Sequence, residues 1–210
     1  LWNCNSKYDI IVGNPPYGKV TKNKDLLDLY KFKALNSDTN NIFSFFIDKS
    51  LLLGNYVSLI VPKSLLNAPE FNKTRDLLKN CDLQKICDYG EKAFKGVKIE
   101  TVSFLCSSSA STSDEVIIES YIKNSYKGES KDYIFADDFP YWLIYRDVTF
   151  DNVVSKMKLD IFNSFRDRQI TKSITQDKGK VRVLKSRNIG NNEVKEIKGY
   201  DCYIDKIDKL

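Results

Sequence analysis

Tyr8 to Gly13 reads Y-D-I-I-V-G and runs straight into Asn14-Pro15-Pro16-Tyr17. A short apolar run closed by a glycine and two prolines is the pattern of a buried parallel strand that stops abruptly at its carboxyl end. Proline fixes φ and removes a backbone donor, and the residue before a proline is pushed into extended conformations. Asn14 and Pro15 are therefore both held extended, and the turn that follows the strand is stiff.

The residues after this turn set up an alternation. Lys19 to Thr39 is polar and lysine-rich, read as a mobile loop over the strand end with a short helix from Asp25 to Phe32. Ile42, Phe43, Phe46, Ile47 and Leu51 then fall at helical spacing, with Asn40 or Asn41 as the cap and Gly54 as a left-handed stop. Tyr56 to Val61 is the second strand, ended by Pro62, and Asn67 and Pro69 open a helix carrying Phe71, Leu77 and Leu78. Leu83 to Tyr89 and Glu100 to Cys106 are two more strands, and Gly90 to Ile99 between them is too short for a helical crossover, so the pair is expected to be antiparallel. The pattern predicts an α/β fold, one side of a doubly wound sheet finishing in a β-hairpin. A serine-rich linker (Ser107 to Ser113) leads to a further strand, Val116 to Ile122.

Beyond about Lys131 the character changes to scattered aromatics, Trp142 and Tyr145 among them. An amphipathic helix follows, with Phe150, Val153, Val154, Met157, Ile161, Phe162 and Phe165 on one stripe, and then a basic strand-like stretch from Val181 to Ile189. We read residues 1–130 as one partial domain and 131–210 as the start of a second, smaller mixed module.

Composition narrows the chemistry. The chain has no histidine among its 210 residues, which excludes Ser-His-Asp triads, Cys-His dyads and H-E-x-x-H zinc sites. Its five cysteines are widely spaced and contain no C-x-x-C pair, so neither a metal site nor a disulfide framework is expected, and most read as small apolar residues in a reducing cytoplasm. No apolar run approaches the roughly 18 residues of a membrane span. Leu1-Trp2-Asn3-Cys4 shows neither an initiator methionine nor a signal-peptide pattern and reads as a cut. The net charge of +5 is compatible with a polyanionic partner and adds little by itself.

Physically, Asn14-Pro15-Pro16-Tyr17 offers two acceptors, the Asn14 side-chain oxygen and the Pro15 carbonyl, few competing donors, and the aromatic face of Tyr17. A primary amine conjugated to a purine is a poor nucleophile because its lone pair is delocalised. Two acceptors gripping its hydrogens draw the nitrogen toward tetrahedral geometry and aim the lone pair at an incoming methyl group, with no histidine base required.

On these residues the chain resembles the γ-class N6-adenine DNA methyltransferases of restriction-modification systems, whose N-P-P-Y motif stands at Asn14 to Tyr17. The resemblance continues in a strand opened by glycine and closed by I-V-P-x-S, matched by Gly54 to Leu65. It extends to an R-x-x-L at Arg75 to Leu78 and a D-x-G-x-x-x-F-x-x-V-x-I-x-T hairpin at Asp88 to Thr101. It implies a Rossmann-like methyltransferase sheet, present as its C-terminal side, followed by the start of a target-recognition module. It further implies S-adenosylmethionine as cofactor and double-stranded DNA with a flipped adenine as partner. Asn14, Pro15 and Tyr17 would be catalytic, Pro16 and Phe94 would bind the base, and Tyr17 and Phe94 would sandwich it. Lys98, Lys185 and Arg187, with Lys19 and Lys63, are candidates for DNA contact. Arg75 is expected in a structural ion pair.

In that family the glycine-rich cofactor loop lies upstream of N-P-P-Y, so Asn14 alone would border the cofactor here. The cofactor half would be missing or on a partner chain, the fragment inactive alone, and the unpaired strand edge would invite self-association. A protein glutamine N5-methyltransferase, which uses the same motif, and an inactive DNA-binding fragment remain the alternatives. The roughly 100 residues after Thr101 favour a DNA reader.

Overall fold

The Y-D-I-I-V-G run is strand β1 (Tyr8–Gly13). It pairs in parallel with β2 (Gly54–Pro62), Tyr8 opposite Gly54 and Gly13 opposite Leu59. The structure is a computed structural model that describes residues 5–110, 113–158, 161 and 170–205. They belong to two compact units, Leu1–Ser155 and Lys156–Leu210.

In the first unit β2 is followed by β3 (Asp82–Gly90), β4 (Thr101–Ser107), β5 (Glu115–Ser120) and β6 (Ser125–Ser130) in one six-stranded sheet of order β1-β2-β4-β3-β5-β6. β1, β2, β3 and β5 run one way, and β4 and β6 are reversed. The β3–β4 pair is antiparallel as its short connection requires. The sheet does not finish there: β5 adds in parallel to β3, and β6 closes the far edge. β6, S-Y-K-G-E-S, has Tyr126 as its single large apolar residue, 64% exposed, and alternates half-buried with exposed residues.

One face of the sheet is covered. α2 (Ile42–Leu53) brings Phe43 and Ile47, and α3 (Asn72–Lys79) brings Leu78, onto Val57, Leu59 and Val61 of β2 and Val102, Phe104 and Cys106 of β4. Full burial of such side chains is worth about 1.5–3 kcal/mol each. Ile134, Phe135, Trp142 and Ile144 join the same cluster. The first two lie on or just after the short helix α4 (Lys131–Ile134). The composition change at Lys131 thus falls inside the first unit. On the other face Ile10 and Val12 of β1 are 66% and 72% exposed.

Lys19 to Thr39 carries the expected short helix as α1 (Lys24–Lys33), one residue longer at each end and capped by the Asn23 side chain. Its return is pinned by Asp48, whose Oδ2 accepts from the Leu35 and Asn36 amides at 2.9 and 3.3 Å. Asn36, fully buried, donates to Thr74 Oγ1 at 2.7 Å and to the Glu70 carbonyl at 3.0 Å. Three details differ from the sequence reading. Gly54 is extended (φ −102°, ψ 143°) because it already opens β2, and its smallness serves close packing, since a Cβ there would stand 3.0 Å from the Ile11 side chain. Asn41 precedes α2 without capping it; its side-chain amide donates to Glu70 Oε2 at 3.1 Å. Arg75 makes hydrogen bonds to the Leu65, Ala68 and Pro140 carbonyls and to Asn72 in place of an ion pair.

Asp48 carries a measurable consequence. Its Oδ1 has no hydrogen-bond partner, and burial pushes its pKa from 3.8 up to about 6 despite the two amides that oppose the shift. Below about pH 3 the carboxyl is protonated in both states and costs nothing. As pH rises from 4 to 6 the unfolded chain ionises first, so the folded state loses about 3 kcal/mol and does not regain it at higher pH. Asp48→Asn keeps a carbonyl for both amides and cannot ionise. Urea unfolding of this variant should lose that part of the slope between pH 4 and 6 and gain stability over the wild type at pH 7. An unchanged slope would contradict the assignment.

α5 (Val148–Val154), capped by Asp147, holds Phe150, Val153 and Val154 of the expected stripe; it ends before Met157 and Ile161, which are exposed and not helical, and Phe162 and Phe165 lie outside the described residues. In the second unit β7 (Val181–Val183) pairs antiparallel with β8 (Cys202–Ile204). Cys81, Cys87 and Cys106 are buried free thiols. No helix among the described residues is long and apolar enough to cross a membrane.

Candidate active site

Because β1, β2 and β3 are co-directional, their carboxyl ends lie on one edge of the sheet, and that edge carries the residues singled out from the sequence. At the end of β1, Asn14 is exposed, Pro15 is buried and Pro16 is exposed. Tyr17 is half-buried, packs against the core and donates its hydroxyl to the Ile60 carbonyl at 2.9 Å, which anchors the turn to β2. Burial raises the Tyr17 pKa, so the phenol stays a neutral donor. The next residues are stitched to the start of α2: the Ile42 amide donates to the Gly18 carbonyl at 2.8 Å and the Val20 amide to the Asn40 carbonyl at 3.0 Å. Glu70 tightens this seam, accepting from Thr39 at 2.7 Å and from Asn41, with Lys19 at 3.5 Å.

At the end of β3, Gly90 adopts φ +53°, and a Cβ there would press on the Ile122 side chain at 2.4 Å, so the left-handed turn favours glycine. Residues 91–99 then leave the sheet before β4 begins, with Phe94 half-buried and Lys98 exposed. The strand order puts β2 and β4 between β1 and β3, a spread of about 14 Å at ordinary strand spacing. The Asn14 turn and the 91–99 excursion therefore stand at two places on the same rim.

Lys63, at the end of β2, is a candidate for DNA contact by its sequence. Its ammonium instead sits 2.7 Å from Asp88 Oδ2, a carboxylate with no exposure. Sequence reading missed Asp88, taken only as a letter of the hairpin pattern, and Tyr145, taken as a scattered aromatic. The P-K-S at a strand end and the D-x-G spacing were the available signals for the first pair; nothing local marks Tyr145. A cavity of about 790 Å³ opens beside this cluster, lined by Pro62, Lys63, Ile99, Trp142, Tyr145 and Phe150 among others. The Asn14 turn does not line it.

The remaining candidates belong to the second unit. Lys185 donates its ammonium to the Tyr200 carbonyl and stands 3.8 Å from the centre of that ring, while the Arg187 guanidinium is 5.3 Å from the same ring. Buried Asn188 fixes this turn through Asp201 at 2.6 Å and the Lys195 carbonyl at 3.0 Å. Lys185 is thus committed to holding its own fold, and Arg187 is the more available cation. Among the described residues no cluster of histidine, cysteine or carboxylate could hold a metal ion.

The structure is similar to a modification subunit of a putative type I restriction enzyme from Vibrio vulnificus YJ016 (TM-score 0.48, 16% identity, covering 71% of this chain and 40% of that one). It is also similar to the type IIG restriction endonuclease BpuSI (TM-score 0.48, 18% identity, 59% and 19% covered). In sequence it is 30% identical over 115 residues to a Type II methyltransferase of Thermus thermophilus. That alignment covers 49% of this chain and 26% of the relative, so the chain spans about a quarter of that relative's length. Residues 2–94, from before β1 to Phe94, match the model of the Eco57I restriction-modification methylase family.

Proposed function

We propose that the chain is the catalytic edge of a DNA methyltransferase of a restriction-modification system, one that methylates the N6 amino group of an adenine extruded from the duplex. The observation that carries this reading is the Asn14-Pro15-Pro16-Tyr17 turn at the carboxyl end of β1, with Asn14 exposed on the same rim as the excursion carrying Phe94. The family match over residues 2–94 supports it. Asn14 Oδ1 and the Pro15 carbonyl accept the two amino hydrogens and localise the nitrogen lone pair; Tyr17 and Phe94 hold the base by its faces, worth about 1–3 kcal/mol per base. Once the nitrogen has gained its methyl it is cationic and loses a proton without a dedicated base. Lys98 and Arg187 serve DNA contact, while Lys185 holds the turn that carries Arg187.

S-adenosylmethionine would supply the methyl group. Of this chain's residues Asn14 would border it. The nine glycines never fall two residues apart, so none of them forms a G-x-G cradle, and the remaining cofactor contacts come from outside these residues.

The test is transfer of labelled methyl from S-adenosylmethionine to duplex DNA by the full-length protein, with N6-methyladenine as the product on nucleoside analysis. Methylation of glutamine in protein and none in DNA would overturn the reading. Phe94→Ala should weaken capture of the flipped base about ten-fold or more, read as a lower 2-aminopurine emission at the target position. Unaltered emission would count against the stacking role.

A further inference from the structure

We propose that Lys63, Asp88 and Tyr145 are positioning residues that fix the 91–99 excursion, and with it Phe94, from beneath. The inference rests on the reading of Phe94 as a base-stacking residue. Lys63 grips both legs of the excursion. Its backbone amide donates to the Glu100 carbonyl at 2.9 Å on the leg entering β4, and its ammonium reaches Asp88 Oδ2 at 2.7 Å on the leg leaving β3. Asp88 passes the constraint on through its other oxygen, which accepts from the Gly90 amide at 2.9 Å and holds that residue in its left-handed turn.

Tyr145 closes the cluster from the aromatic segment after α4. Its hydroxyl bonds Asp88 Oδ2 and lies 2.6 Å from Ser120 Oγ, and the Lys123 ammonium stands 3.9 Å from its ring centre. Burial and the bond to Asp88 push the phenol up to about 12, so it remains a donor at any physiological pH. A carboxylate with no exposure is tolerable only when its lone pairs are met, and here a cation, a phenol and an amide meet them. The consequence is local. Among the backbone bonds of residues 91–99, the Val97 amide meets the Phe94 carbonyl at 3.3 Å inside the excursion; the Lys92 amide reaches out to the Tyr89 carbonyl at 3.0 Å and its ammonium to the Tyr121 carbonyl at 3.2 Å, so the position of the excursion is set largely from its base.

Amide hydrogen exchange of the full-length protein, read beside 2-aminopurine emission with target DNA, tests the proposal. In Tyr145→Phe and Lys63→Met, peptides covering 90–100 should exchange about ten-fold faster while the interior of β2 and β4 keeps its rate, and Lys63→Arg should restore most of the protection. Emission from the flipped base should fall in the same variants and return in Lys63→Arg. Unchanged exchange at 90–100, or equal acceleration throughout the sheet, overturns the proposal. So does local loosening with emission intact. Local loosening in a protein that neither flips nor methylates adenine would sustain the anchoring role of the three residues and refute the methyltransferase reading.

Discussion

Asn14→Ala, made in the full-length protein, should lower methyl transfer to adenine by about 10²–10³-fold while target DNA binds with nearly unchanged affinity. Asn14 is exposed at the end of β1 and its neighbours Pro15 and Tyr17 hold the turn, the one buried and the other bonded to the Ile60 carbonyl, so truncating the amide leaves the backbone in place. What is lost is an acceptor whose interaction strengthens as the amino nitrogen becomes tetrahedral and positive. Loss of one preorganised polar group at a site of developing charge has effects of this size, and they fall on kcat. Single-turnover transfer rates and a DNA-binding isotherm on the same preparation separate the two. A variant that turns over within a few-fold of the wild type would remove Asn14 from the reaction.

The largest expected stability effect lies away from the chemistry. Arg75 is 3% exposed, and its guanidinium donates to the carbonyls of Leu65, Ala68 and Pro140 at 2.8, 3.0 and 2.8 Å, tying the turn after β2 and the segment after α4 to α3. Arg75→Met fills much of the volume but strips the guanidinium from the Leu65 and Pro140 carbonyls, while Ala68 keeps the Phe71 amide at 3.1 Å, at roughly 1–3 kcal/mol for each carbonyl left bare that water cannot reach. A loss of about 3–4 kcal/mol, a fall of around 10 °C in Tm for a unit of this size, is expected by calorimetry. Arg75→Lys should recover only part, because one ammonium cannot serve carbonyls fanned around a planar fork. A Tm within two or three degrees of the wild type in Arg75→Met, roughly 1 kcal/mol, would show the carbonyls to be hydrated.

Much of the first unit was legible because its strands are apolar and sharply punctuated. The Y-D-I-I-V-G run became β1 to the residue, and Gly90 to Ile99 was short enough to force the antiparallel β3–β4 pair. β6 escaped because an edge strand facing water on one side needs no apolar signature, and Ser125 to Ser130 has only the exposed Tyr126. Gly54 was misread because a glycine after a helix and a glycine opening a close-packed strand look the same in one dimension. The Asn14 turn was visible as local chemistry, whereas the Lys63–Asp88–Tyr145 cluster joins residues from three separate stretches, and no local pattern encodes such a meeting. Arg75 shows the same limit: its burial was unforeseen, and its partners are backbone carbonyls, which carry no letter in a sequence.

The strand order also orders the events of folding. The β3–β4 and β5–β6 ladders close over residues 91–100 and 121–124, but β1 docks only by closing 14–53, four times the longer of those loops. Loop length alone accounts for little, about 0.6 kcal/mol per doubling. The larger handicap is that β1 has a single neighbour, so each residue it orders is repaid by one ladder where β2, β4 and β3 collect two. Among these residues alone, the strand bearing Asn14 is therefore the last to zip and the first to fray, and any further strand laid along its other edge would raise the kinetic reserve of the turn that grips the amino group.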